Sequence, residues 1–94
     1  MMSWKQQNRL PVSALCNLGP KSAMMLTEAG IGSLDELREL GAVKAYLRVK
    51  ALRPKGASLN LLWALAAGLE DRHWQDITPE EKTSLRLEIR NFGR

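Results

Sequence analysis

Cysteine and histidine are almost missing from this chain of 94 residues, which has one of each, Cys16 and His73. An intrachain disulfide is therefore impossible, and a zinc site built from four Cys and His ligands is excluded. Aromatic residues are also few: Trp4, Tyr46, Trp63, Trp74 and Phe92. The core must come mainly from Leu, Ala, Val, Ile and Met, a palette that favours helices over sheets. No stretch alternates apolar and polar residues for long enough to read as a strand. Long hydrophobic runs are missing too. The longest, Leu59 to Leu69, spans 11 residues with Asn60 inside it, about half of a membrane span. The first ten residues, MMSWKQQNRL, hold no apolar signal-peptide segment. These absences lead to the expectation of a cytoplasmic protein with no membrane contact, no metal and no cofactor.

Catalysis needs groups that can be positioned as a pair. Cys16 lies in an apolar stretch and reads as a small core residue. His73 sits between Arg72 and Trp74 at a helix end and reads as a surface or capping residue. Glu70-Asp71 and Glu80-Glu81 are adjacent, and adjacent helical residues point in different directions. No Gly-rich nucleotide loop or serine elbow is present. The chain is expected not to be an enzyme.

The remaining pattern is helical and strongly punctuated. Residues 1–10 are polar and aperiodic and read as a flexible arm or linker; residues 11–94 read as one helical domain. Pro11 opens a short helix through Cys16, ending at Asn17. Gly19 as N-cap and Pro20 as first helical residue open a second, with Ala23, Leu26 and Thr27 on one face. Gly30 as a left-handed stop would bring Ile31 against Leu26, the contact of a Schellman cap. Ser33 and Glu36 form a capping box for a third helix, with Leu34, Leu37 and Leu40 as its stripe and Gly41 as its end. A fourth runs from about Ala42 to Leu52, with Val43, Tyr46, Leu47 and Val49 facing inward, and breaks at Pro54. Ser58 caps a fifth, Leu59 to Leu69, which is apolar nearly all round and is expected to be the central element. Thr78, Pro79 and Glu81 start a sixth, with Leu85, Ile89 and Phe92 as packing stripe. Its Lys82, Arg86, Arg90 and Arg94 form a basic stripe suited to a solvated helix face. The predicted fold is all-α, a compact bundle of five main helices behind a short leading one.

The net charge of +4 is unevenly distributed. Between residues 40 and 69 lie Lys44, Arg48, Lys50, Arg53 and Lys55 and no acidic residue, while the rest of the chain sums to −1. That segment is either a solvated helix face or a surface for phosphates or an acidic partner. The turn Asn17-Leu18-Gly19-Pro20-Lys21 resembles the hairpin of helix-hairpin-helix domains, which bind DNA without sequence preference. Behind such a turn a helix N-terminus presents unpaired N–H groups and partial positive charge, where a phosphate fits. The donors would be the N–H groups of Lys21, Ser22 and Ala23, with the Ser22 hydroxyl and Lys21 ammonium beside them. Gly19 would let the anion approach. Asn17 replaces the first glycine of that pattern, and its side chain adds bulk near the phosphate's path. The alternative is that Gly19-Pro20 simply starts a helix. The candidate anion- or nucleic-acid-binding residues are Gly19, Lys21, Ser22, Lys44, Arg48, Lys50, Arg53 and Lys55.

The strings LCNLGPKSAMMLTEAGIGSLDELRELGAVKAYLRVK and LNLLWALAAGLEDRHWQDITPEEK resemble, in order and spacing, the C-terminal domain of the TfoX family, also called Sxy. The likeness spans about residues 12–87. It implies a bacterial regulator of competence and DNA transformation that acts with a cyclic-AMP receptor protein at promoters. It further implies an α/β domain preceding this one in full-length members, so that this chain is a stand-alone member or one domain of a longer protein. It carries over no catalytic residue. Two functional classes follow: a module that contacts DNA phosphates weakly and without sequence preference, or a protein-interaction domain that binds a transcription regulator.

Overall fold

The computed structural model describes residues 11–15 and 17–92. The expected arm, Cys16 and Arg94 lie outside them. Five α-helices follow one another: α1 (Pro20–Glu28), α2 (Leu34–Leu40), α3 (Ala42–Leu52), α4 (Leu59–Leu69) and α5 (Pro79–Phe92). Short 3-10 turns stand at Val12–Ala14 and Trp74–Asp76. Among the described residues there is no strand, only an isolated bridge between Pro11 and Ser33. No helix among them is long and apolar enough to cross a membrane.

Local chemistry accounts for most boundaries. Gly19 is the N-cap of α1 with Pro20 inside its first turn. At the other end Gly30 adopts φ 86°, and the N–H groups of Gly30 and Ile31 donate to the carbonyls of Thr27 and Leu26. This is the Schellman arrangement, and it brings together Leu26 and Ile31, both essentially fully buried. Ser33 and Glu36 form the capping box of α2. Gly41 at φ 87° both ends α2 and starts α3, a backbone that any other residue would adopt only under strain. Thr78 and Glu81 exchange backbone-to-side-chain bonds of 3.1 and 2.9 Å at the start of α5.

The centre is shared by two helices. Seven of the eleven residues of α4 are buried, including Leu62 and Leu65 at 0% exposure. Yet α3 is the helix that packs against all four others: α1, α2, α4 and α5. It buries Val43, Ala45, Tyr46 and Val49 and half-buries Leu47. The Tyr46 hydroxyl donates to the Ala57 carbonyl at 3.5 Å, joining α3 to the segment that leads into α4.

Three expectations about faces are corrected. Thr27 is exposed and bonds back to the Ala23 carbonyl at 2.9 Å, so the buried face of α1 is Ala23, Met25 and Leu26. Ser58 occupies the N-cap of α4, but its side chain makes no capping hydrogen bond. Phe92 is exposed, with the Lys44 ammonium 5.3 Å above its ring. Leu85 and Ile89 do pack on the core, half-buried. Helix α5 buries no residue completely. Polar and cation–π contacts add to the packing of Leu85 and Ile89. Lys82 and Arg86, one turn apart, lie 5.5 and 5.9 Å from the ring of the buried Trp63, a favourable use of the indole's negative face. These two cations therefore cover an aromatic ring rather than facing solvent alone.

Arg72 joins three parts of the chain. Its guanidinium grips the Glu81 carboxylate with two bonds of 2.8 Å, contacts Glu70 at 2.9 Å and donates to the Asp76 carbonyl at 3.1 Å. The arginine and the Thr78 groups hold the Glu81 carboxyl down to about 2 from its usual 4.5.

Replacing the fully buried Leu62 with Ala is expected to cost about 2–5 kcal/mol, because it opens a void in the core that the surrounding side chains close only in part; urea unfolding measures it. Since Glu81 binds its proton less tightly when folded, its ion pair adds stability above about pH 5 and loses it progressively as pH falls towards 2. Glu81→Gln is expected to lower the urea midpoint at neutral pH and to flatten the acid limb of the stability profile over that range.

Candidate nucleic-acid interface

Two helix beginnings face one another across the surface. The first turn of α1 contributes Lys21 and Ser22, and the start of α4 contributes Ser58 and Asn60. Between them lies a cleft of about 310 Å³. Its floor is apolar, made by Met25, Leu61 and Ala64. Asn17, Gly56 and Trp74 complete the wall, and no carboxylate lines it. Neither helix start is closed by a side-chain cap. A helix end in this condition carries partial positive charge on its first N–H groups. Here two such ends and one ammonium group open on the same space.

The hairpin differs in detail from the sequence expectation. The Ala23 N–H donates to the Gly19 carbonyl at 3.0 Å as the first intrahelical bond, so the outward donors of the first turn are those of Lys21 and Ser22. Gly19 is exposed and extended, with φ −87°, and nothing lies within 4 Å of where a Cβ would sit. Asn17 takes a left-handed φ of 76°. Its side chain does not stand across the helix start. Its amide nitrogen donates to the Arg72 carbonyl at 2.8 Å, and its oxygen accepts from the Trp74 N–H at 3.3 Å. The residue thus exchanges glycine's freedom for two tethers that fix residues 72–74 at the rim of the cleft.

The other candidates are dispersed. Lys44 lies over Phe92 in a groove it shares with Glu70 and Glu88. Arg48 lines a separate groove with Glu36 and Glu39. Lys50 lies 5.9 Å from the Tyr46 ring. Arg53 is paired with Glu28 through bonds of 2.8 and 3.0 Å, which hold that carboxyl below its usual range. Lys55 is exposed in the turn beside Gly56. The segment without acidic residues therefore does not form one basic face, because neighbouring helices bring carboxylates to Lys44, Arg48 and Arg53. Of the eight candidates, Lys21 and Ser22 line the cleft, with Gly19 next to them in the chain but not in its lining. Asn60, Ser58 and Trp74 join them at the cleft and were not among the sequence candidates for binding. Trp74 figured in the sequence only as one of the five aromatic residues. It is 36% exposed, against 4% for Trp63, and its ring lies against that of His73 at 6.1 Å and 25°. His73 is exposed, and its Nδ1 accepts from the Gln75 N–H, capping the 3-10 turn.

Among the described residues no group of three or more His, Cys, Asp or Glu side chains could hold a metal ion.

Comparison with known proteins places this arrangement. The fold is similar to the crystal structure of an uncharacterized protein from Listeria monocytogenes, with a TM-score of 0.77 over 88% of this chain and 93% of that one, at 24% identity. A relative from Haemophilus influenzae, named DNA transformation protein TfoX, is 31% identical over 90 residues. That match takes in 96% of this chain and 40% of the relative, so the chain spans less than half the length of that protein. Residues 6–89 match the TfoX C-terminal domain. With the match covering four helices and most of the fifth, the chain belongs to the TfoX C-terminal domain family.

Proposed function

We propose that this domain is a non-enzymatic regulatory module of competence and DNA transformation, acting in the cytoplasm, and that it contacts DNA phosphates without sequence preference at the cleft between the starts of α1 and α4. The observation that carries this reading is the convergence there of two uncapped helix N-termini with Lys21, in a lining free of carboxylates. A phosphate oxygen accepts hydrogen bonds from such N–H groups and is favoured by both helix dipoles. The name of the Haemophilus influenzae relative, a DNA transformation protein, agrees with a role in DNA handling. The second reading, a protein-interaction domain that binds a transcription regulator, draws support from α5, which exposes Leu87 and Phe92 on a helix that buries nothing completely.

The two readings separate by charge and by location. Ser22→Asp and Asn60→Asp each place a carboxylate in the first turn of a helix, where it favours the helix, and in the cleft, where it repels phosphate. Each is expected to leave thermal stability unchanged or raised and to weaken duplex DNA binding at least tenfold, read by fluorescence anisotropy at low salt. With about two phosphates engaged, affinity falls roughly tenfold between 50 and 200 mM salt. Lys44→Glu, in a different groove, is expected to cost much less. Unchanged DNA affinity in both cleft variants removes the DNA reading.

A further inference from the structure

We infer that the cleft takes single-stranded DNA, with one base lying on the Trp74 indole and the adjoining phosphate held at Lys21. This deepens the DNA reading above and rests on it. The reason lies in the wall of the cleft. A phosphate site alone is satisfied by a duplex, whose backbone is outward. Trp74 offers something a duplex cannot use. Trp74 is more than a third exposed and lines the same cleft as Lys21, whereas the bases of a duplex are stacked inside and present only their edges in the grooves. Aromatic platforms beside a cationic track are the means by which single strands are held without sequence preference.

The platform is also built in advance. The Asn17 side chain ties the Trp74 backbone and the Arg72 carbonyl to the turn that precedes α1. His73 lies against the indole at 6.1 Å, and Arg72 is itself clamped to Glu81 and the Asp76 carbonyl. The bond from the Trp74 N–H to Asn17 fixes the backbone of the platform relative to the turn that carries Lys21, which leaves only the side chains to be ordered on binding. The shape points the same way. A concave site of about 310 Å³ lies at the lower end of ligand-sized cavities. It can receive an unstacked nucleotide, but it does not project into a groove. Ser58 and Asn60 on the opposite wall supply hydrogen-bonding groups for a base edge or sugar.

The test uses the full chain with three labelled 12-mers: a (dT) strand, a (rU) strand and a matched duplex. Anisotropy at low salt is expected to show the (dT) strand bound at least tenfold tighter than the duplex. Trp74→Leu is expected to weaken (dT) binding roughly 5- to 150-fold, the effect of removing one stacking aromatic. Trp74→Phe, which keeps a ring, is expected to retain most of it and guards against misreading a folding defect in the leucine variant. Quenching of indole emission by the (dT) strand is expected in the parent and diminished in Trp74→Phe. Equal affinity for duplex and single strand, with both Trp74 variants neutral, overturns this inference and leaves the DNA reading standing. Tighter binding of the (rU) strand than the (dT) strand overturns the assignment to DNA. No binding of any strand removes this inference and the DNA reading together.

Discussion

An apolar helix with no polar face is the constraint from which the rest of this structure follows. Helix α4 reads Leu-Asn-Leu-Leu-Trp-Ala-Leu-Ala-Ala-Gly-Leu, and water on any side of it would leave large apolar area exposed. At ~25 cal/mol per Å² no arrangement that leaves it at the surface competes with one that surrounds it. The surrounding is done by α3 along its length and by the 3-10 turn at Trp74–Asp76 near its end. Helix α3 in turn must meet α1, α2 and α5, because its buried residues Val43, Ala45, Tyr46 and Val49 are spread around more than one face. Two adjacent helices thus share the centre, one by burial and the other by number of neighbours.

The cleft is a by-product of that solution which the loops then specialise. Packing α1 and α4 around a common core brings their N-termini to one region of surface. What distinguishes the region is how the loops treat it. Asn17, left-handed at φ 76°, turns its amide toward residues 72 and 74 and leaves the start of α1 uncapped. Arg72 faces the other way, towards Glu81 and α5. The pair Asn17 and Arg72 therefore links the cleft side of the molecule to the docking of its last helix. Polar side chains of this kind contribute modestly to net stability at an exposed site, and their larger effect here is positional.

Charge is where chain order and spatial order diverge most. Along the chain, residues 40–69 form a cationic block without a carboxylate. In space, α1 supplies Glu28 to Arg53, α2 supplies Glu36 and Glu39 to the groove of Arg48, and Glu70 and Glu88 share the groove of Lys44. The net charge is unchanged, but its field is spread over several small grooves. The cleft is marked by helix ends and one lysine rather than by a dense basic patch.

Much of the architecture was legible in the residues themselves. Capping boxes at Ser33 and Thr78, glycine stops at Gly30 and Gly41 and proline starts at Pro20 and Pro79 act within a few residues, so the local chain determined where helices begin and end. The TfoX likeness was carried by the same local motifs. The misread features were left open by period and residue type alone. Thr27, Phe92 and the Ser58 hydroxyl sit at positions of correct period or type, and only packing decided that they face solvent or make no cap. The Trp74–Asp76 turn has no period to announce it. Only the Lys21 and Ser22 side of the cleft could be read, because Asn60 and Trp74 are far from them along the chain and join them only when the core is assembled. Local hydrogen bonding and period thus determined the elements and their order. Long-range burial of α4 decided which faces meet, which charges are paired and where two helix ends open together.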